Sequence, residues 1–140
     1  MRGRRARPRS QNVYVTRRTM RRVSNAPQLE RFLSQHDFTA YALEDLSFDQ
    51  QVDLFSQANL VVAPHGAGLA NILFCQPGAK VLELSPDAEF RPFFAYMANK
   101  LGLTHGILPC PTSDNTFQGD MTVDIAKFAG LFRMLRHHLS

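Results

Sequence analysis

The fold is decided by the stretch LVVAPHGAGLAN, which occupies residues 60–71. Its first four residues are apolar without interruption, as in a strand of a parallel sheet that helices cover on both faces. Two glycines, Gly66 and Gly68, follow the strand and precede another apolar run. The stretch therefore predicts a buried strand that passes through a tight turn into a helix, which is the repeating unit of an α/β sheet.

Short strands and helices alternate on both sides of this turn. Apolar and β-branched runs predict strands over residues 13–16, 38–43, 60–63, 80–84 and 107–108. Helices are predicted after Asn25 as N-cap, from Ser47 or Phe48, after the glycine turn, over residues 93–101, and from Asp120 or Thr122 onward. This alternation predicts an α/β fold, a Rossmann-like doubly wound and mostly parallel sheet of about five strands with helices on both faces.

The composition predicts one domain preceded by a basic segment. A chain of 140 residues that is 44% apolar can bury a core of its own. Nine arginines and no acid occur before Glu30, although the net charge is only +4. We interpret residues 1–12 as a flexible Arg-rich arm and residues 13–140 as an α/β domain. An Arg-rich end is typical of a solvated tail or of a contact with phosphate groups.

Several classes of protein do not fit the sequence. No apolar run reaches the length of a membrane-spanning helix, and no apolar segment follows the N-terminal arginines as in a secretory signal. Two cysteines, Cys75 and Cys110, form neither a disulfide framework nor the clustered spacing of a zinc site. The expected setting is therefore reducing and cytoplasmic.

The glycine turn is the strongest candidate for a ligand site. In open α/β sheets, ligands bind outside the carboxyl ends of the strands, and the start of the following helix favours phosphate or diphosphate. The alternative, that Gly66 and Gly68 serve only the tight turn, stays open. The third glycine of the dinucleotide fingerprint is absent, so NAD binding is not indicated. A hydrolase is not indicated either, because the chain has no Gly-x-Ser-x-Gly nucleophile motif.

A wider set of residues extends the pattern over residues 13–108. The set comprises Tyr14-Val15-Thr16-Arg17, Arg22, Asn25, Ser47-Phe48, Gln51, Ala58, His65-Gly66-Ala67-Gly68-Leu69, Asn71 and Val81-Leu82-Glu83-Leu84. In order and spacing it resembles glycosyltransferase family 61. The resemblance implies an inverting enzyme of GT-B type that transfers a sugar from a UDP-sugar donor to a glycan or glycoprotein acceptor. It implies that this chain is the donor-binding half, with an acceptor domain upstream or on a partner chain.

The resemblance also implies roles for single residues. Arg17 is expected to contact the donor diphosphate with its planar guanidinium, assisted by Arg22. Gly66, Ala67 and Gly68 are expected to bind the diphosphate through their backbone N–H groups, and Glu83 is expected to bind the ribose hydroxyls. Leu69 and Asn71 complete the expected donor-binding residues. His65 is the candidate catalytic residue, as a hydrogen-bond donor to the leaving UDP or as a base.

Each role has a structural alternative. His65 and Glu83 would then be hydrogen-bonding or capping residues of the fold, and Asn71 and Gln51 would tie the turn to its neighbours. Arg18 and Arg21 are interpreted as solvated charge.

No metal or organic cofactor is expected beyond the donor substrate. The chain has no Asp-x-Asp motif, and Asp87-Ala88-Glu89 is interpreted as an ordinary acidic loop. Two other functions remain open. The Arg-rich N-terminus is compatible with a nucleic-acid-binding module, although no known binding motif accompanies it and nucleic acid is the less favoured partner. The chain is also compatible with an inactive remnant of a transferase.

Overall fold

A computed structural model describes residues 11–137 of the chain as a five-stranded sheet covered by helices. The strands are β1 (Gln11–Val15), β2 (Phe38–Tyr41), β3 (Ala58–Pro64), β4 (Lys80–Pro86) and β5 (Thr104–Cys110). They are hydrogen-bonded in the order β2-β1-β3-β4-β5, and every pairing is parallel. The predicted doubly wound parallel sheet is confirmed.

The strand order creates a switch point between β1 and β3. From β1 the chain first builds outward to β2 and then returns across β1 to build β3, β4 and β5 in the opposite direction. Connections that leave in opposite directions open a crevice at the carboxyl ends of the two inner strands, which is where ligands bind in such sheets. The end of β1 at Val15 and the end of β3 at Pro64 flank this crevice.

Helices cover both faces of the sheet. On one face lie α1 (Ala26–Ser34) and α4 (Ile125–Arg136), packed on a core that includes Leu29, Phe128 and Val62. The other face carries α2 (Phe48–Ser56), the 3-10 helix Ala67–Phe74 and α3 (Phe93–Lys100). A second 3-10 helix, Leu43–Asp45, follows β2. No helix in residues 11–137 is long and apolar enough to cross a membrane.

Two local features at the N-terminal side of the sheet differ in part from the predictions. Gln11 and Asn12 were assigned to the flexible arm, but they begin β1 because each pairs with a neighbouring strand. Asn25 precedes α1 as expected, but its side chain makes no capping bond. Its amide instead donates to the Val123 carbonyl at 2.7 Å and accepts from the Val123 N–H at 2.9 Å. The rest of the predicted arm lies outside the described residues.

The last helix begins later than predicted. It starts at Ile125 with Asp124 as N-cap, not at Asp120 or Thr122. Residues 111–124, which we call the β5–α4 loop, are held instead by the segment that follows β1. The Met121 N–H donates to the Arg22 carbonyl, and the Ser24 N–H donates to the Met121 carbonyl, both at 2.7 Å. The β5–α4 loop thus lies beside the segment that follows β1, and its Phe117 contacts His65 at the end of β3.

Candidate functional site

His65 lies at the centre of the site, directly after β3. Its backbone N–H donates to the Leu84 carbonyl at 2.8 Å, which continues the pairing with β4 beyond the last residue of β3. Its ring Nδ1 contacts a carboxylate oxygen of Glu83 on β4. The other oxygen of Glu83 lies 2.9 Å from Nε2 of His105 on β5. The residue that follows β3 and one residue each from β4 and β5 therefore form a continuous hydrogen-bonded array.

The carboxylate of Glu83 is fully buried and ionised. Burial by itself would raise its pKa, but the hydrogen bonds and charges of His105 and His65 outweigh burial and hold the pKa of Glu83 below its ordinary value. An ionised carboxylate only accepts hydrogen bonds, so both histidines must present an N–H to it. When His65 is neutral, its one ring proton therefore lies on Nδ1 and Nε2 keeps a lone pair. This is the arrangement of a base oriented by a carboxylate.

Aromatic rings enclose the His65 imidazole. Phe94 of α3 and Phe117 of the β5–α4 loop each meet it edge to face at 4.9 Å between ring centres. Only 11% of the His65 side chain is exposed. The rings restrict the orientation of the imidazole and exclude most water from it, which strengthens electrostatic interactions there.

The Arg17 guanidinium lies against the glycine turn. Its Nε donates to the Met20 carbonyl at 2.8 Å, which folds the segment after β1 back toward β3. A Cβ on Gly66 would overlap Nη1 of Arg17 and would lie 3.1 Å from its Cζ. Glycine at this position therefore permits the close approach of the guanidinium. The structure thus brings together Arg17, His65 and Gly66, three of the residues that the sequence predicted for one site.

Arg21 is a site residue that the sequence analysis missed. We interpreted it as solvated charge, but it is half-buried and its Nε donates to the His65 carbonyl at 2.8 Å. Its Nη1 donates to Gln118 at 2.8 Å. Burial, and then the charges of Arg17 and Arg91, lower the pKa of Arg21. A bound anion would offset this repulsion between guanidinium groups.

The positive charge beside the turn is not neutralised locally. Within residues 11–137, neither Arg17 nor Arg21 forms an ion pair with a carboxylate. Arg91 pairs with Glu89 at 2.9 Å and places its guanidinium 3.8 Å from the centre of the Phe117 ring. The carboxyl ends of β1 and β3 therefore present an electropositive surface that suits an anion.

Two other arginines point to different partners. Arg18 is exposed and pairs with Asp45 at 2.7 Å, as expected for solvated charge. Arg22, a predicted donor-binding residue, pairs with Asp120 at 2.9 Å and with its guanidinium secures the β5–α4 loop. The structure therefore does not bring Arg22 into the group formed by Arg17 and Arg21.

A cleft of about 400 Å³ opens beside the turn, between the end of β1 and the two 3-10 helices. Asn71 lines it and donates to Gln51 at 2.7 Å, and Gln51 donates to the Leu43 carbonyl at 3.0 Å. These amides tie the turn to its neighbours. Gly68 lies close enough to Leu43 that a Cβ would come within 3.1 Å of its side chain.

The remaining predicted donor-binding residues differ in whether the structure brings them to the cleft. Leu69 is 1% exposed and belongs to the core beneath the cleft. Glu83 has no exposed surface and both its oxygens are engaged, so the structure does not bring it to a position where it faces a ribose. Ala67 begins its 3-10 helix, and its side chain lies outside what the structure describes. Within residues 11–137, no group of three or more His, Cys, Asp or Glu side chains is arranged so that it could hold a metal ion.

Comparisons with known proteins match about half of the chain, including the glycine turn and Arg17. The family model described as Glycosyltransferase 61 matches residues 5–82. Protein O-linked-mannose beta-1,4-N-acetylglucosaminyltransferase 2 of Takifugu rubripes is 38% identical over 79 residues, which cover 54% of this chain and 13% of that protein. Beta-1,2-xylosyltransferase RCN11 of Oryza sativa subsp. japonica is 29% identical over 68 residues, which cover 49% of this chain and 13% of that protein. The chain matches only a small part of each of these relatives.

Proposed function

Since the chain belongs to glycosyltransferase family 61, we propose that it is the donor-binding half of a GT-B-type transferase and binds a UDP-sugar at the switch point of its sheet. The observation that carries this proposal is the pair of guanidinium groups, Arg17 and Arg21, beside the Gly66 turn. The 3-10 helix begins directly after Gly66, and the first N–H groups of a helix have no partner within it. Together these donors suit a diphosphate.

The arginines account for donor binding without a metal ion. Charge develops on the UDP leaving group during transfer, and preorganised guanidinium groups stabilise such charge in a partly dehydrated site. Arginine presents two parallel N–H groups to a pair of phosphate oxygens, which adds geometric specificity to the Coulomb attraction. We propose that Arg17 binds the diphosphate directly and that Arg21, held on the His65 carbonyl, supports it from the other side.

His65 is proposed as the base of an inverting transfer. Its Nε2 would take the proton from an acceptor hydroxyl as that oxygen bonds to the anomeric carbon. The bond from the anomeric carbon to UDP breaks at the same time, so the electron pair leaves with UDP and the configuration inverts. The imidazolium formed on His65 is stabilised by the Glu83 carboxylate.

The acceptor must be recognised by residues outside this chain. GT-B enzymes bind their two substrates between two domains, whereas residues 11–137 form one sheet with its helices. We propose that an acceptor domain, in a longer protein or on a partner chain, presents a glycan or glycoprotein hydroxyl to His65. The chain matches only 13% of the length of each of the two relatives, which supports a separate acceptor-binding domain. The cytoplasmic setting stays a prediction, and a glycan acceptor would give the chain a role in polysaccharide synthesis.

The donor proposal is tested by calorimetric titration of the chain with UDP. Arg17→Ala should weaken UDP binding by about 10- to 150-fold, because a hydrogen bond to a charged group contributes about 1.5–3 kcal/mol. Arg18→Ala is the matched control, since it removes the same charge from the neighbouring residue, whose guanidinium pairs with Asp45. Equal effects of the two substitutions would mean that net charge, and not a built site, attracts UDP.

A further inference from the structure

Three side chains from neighbouring strands form one buried array beneath the glycine turn: His65, Glu83 and His105. Residues of these strands alternate between the two faces of the sheet. His105 is in register with Val81, two residues before Glu83, so the two side chains lie diagonally adjacent on one face. Glu83 has no exposed surface, and the His105 side chain is only 8% exposed. The contact between them is therefore part of the interior.

We propose that His105 is a positioning residue of the transfer reaction: through Glu83 it fixes His65 in the tautomer that carries its proton on Nδ1 and its lone pair on Nε2. The inference rests on the proposed role of His65 as the base. The Nε2 of His105 contacts the Glu83 oxygen that His65 does not contact, so the hydrogen-bonded link from His105 to His65 runs through Glu83.

His105 can influence His65 because burying the Glu83 carboxylate costs free energy. An ionised carboxylate is stable in a protein interior only if hydrogen bonds replace the water it has lost. His65 and His105 each provide one donor, and they engage different oxygens of Glu83. Without His105, one oxygen would remain buried with no donor, and burial would favour the protonated acid.

A proton taken up by the Glu83 oxygen that faces Nδ1 would reverse the hydrogen bond to His65. The carboxylic acid would donate its proton toward Nδ1, so Nδ1 would have to act as the acceptor. The Nδ1 proton would then pass to solvent, and Nε2 would take up a proton in its place. Neutral His65 would lose the lone pair with which it accepts a proton from the acceptor hydroxyl.

The other charged groups near His65 do not set its tautomer. Arg21 binds its backbone carbonyl, Arg17 lies against Gly66, and Arg91 lies over the Phe117 ring. The two rings that flank His65 carry no polar atom that could bind a ring nitrogen. Among the described residues, Glu83 is the acid that contacts the imidazole, so its protonation state decides the tautomer.

The test is a long-range ¹H–¹⁵N NMR experiment on the 140-residue chain, which distinguishes protonated from unprotonated ring nitrogens. At neutral pH we expect the wild-type chain to carry protons on Nδ1 of His65 and on Nε2 of His105. His105→Leu should convert His65 wholly or partly to the Nε2–H form. His105→Gln, which restores an uncharged N–H donor of similar reach, should return His65 to the Nδ1–H form.

An unchanged His65 tautomer in folded His105→Leu would overturn the proposal. If His105→Leu does not fold, the spectra of the wild-type chain and of His105→Gln still test the proposal. An unprotonated Nε2 on wild-type His105, or an Nε2–H form of His65 in folded His105→Gln, would overturn the proposal as well. The NMR experiment needs neither UDP nor turnover, so its result does not depend on the donor proposal. If only the donor proposal fails, the chain will not bind UDP but His65 and His105 will still show the predicted tautomers.

Discussion

The close approach of Arg17 to Gly66 gives a sharp prediction for Gly66→Ala. The added Cβ would overlap Nη1 of Arg17 and lie 3.1 Å from its Cζ, so the guanidinium must move away from the turn. It would then lose the proposed contact with the donor diphosphate, a hydrogen bond to a charged group that would contribute about 1.5–3 kcal/mol. We expect the Kd for UDP to rise by about 10- to 150-fold.

A double-mutant cycle measured by titration calorimetry separates this effect from a general disturbance of the turn. In the Arg17→Ala background the added Cβ meets only Nη2 of Arg21 at an ordinary contact distance of 3.6 Å, so Gly66→Ala should weaken UDP binding by less than about twofold further. Gly130→Ala is the matched control for the glycine-to-alanine change. Gly130 lies in α4 with open space around it, so its substitution should leave UDP binding unchanged and stabilise the helix slightly.

Two results would refute this reasoning. One is wild-type affinity for UDP in folded Gly66→Ala, which would mean that the Arg17 guanidinium does not bind the donor at its observed position. The other is a full penalty for Gly66→Ala in the Arg17→Ala background. That penalty would mean that the turn backbone, independently of Arg17, is what the substitution disturbs.

Other predictions concern residues that support the site. Because the pKa of Glu83 is lowered in the folded chain, its ionisation contributes stability above about pH 4.5 that is lost as the pH falls through the folded-state pKa. Urea unfolding at several pH values between about 3 and 6 should show this loss in the wild type and a flatter profile in Glu83→Gln; parallel profiles would contradict it. Burial raises the pKa of Cys75 to about 12, and burial together with the charge of Asp87 raises that of Cys110 to about 12. Both thiols should therefore resist iodoacetamide until the chain unfolds, and rapid alkylation of the native chain would be inconsistent with this burial. Asn25→Ala should destabilise the chain by about 1–3 kcal/mol in denaturant unfolding, because it leaves the backbone groups of Val123 without their partner; a loss under about 0.5 kcal/mol would show that water replaces the amide.

The sheet could be predicted from the sequence because its signals are local. Apolar runs such as residues 60–63 predict strands that are covered on both faces, and capping patterns such as that of Ser47 with Gln50 mark where helices begin. The late start of α4 could not be predicted in this way. It depends on bonds between the β5–α4 loop and the segment near Asn25, which is 98 residues from its partner Val123.

The site could be predicted only in part, for the same reason. The glycine turn and Arg17 stand at the ends of strands, where the α/β topology places ligands. Arg21 was missed because its role depends on a left-handed backbone (φ 61°) and on a contact with His65, 44 residues away. One usable signal was Glu83, an acid within the apolar strand run of residues 81–84. A charge in a central strand needs a buried donor, and His65 and His105 are the donors that the fold brings to the same face.

The central claim is that a UDP diphosphate binds at the carboxyl ends of β1 and β3, and amide NMR during a UDP titration tests it most directly. We predict shift changes concentrated in residues 16–21 and 66–69, with little change at Gln35, Asn59 and Lys80, which line a cleft at the opposite end of the strands. Saturable changes of this kind, absent with Arg17→Ala, would support the donor site. Changes confined to the opposite end of the sheet, or no saturable change with UDP, would contradict it.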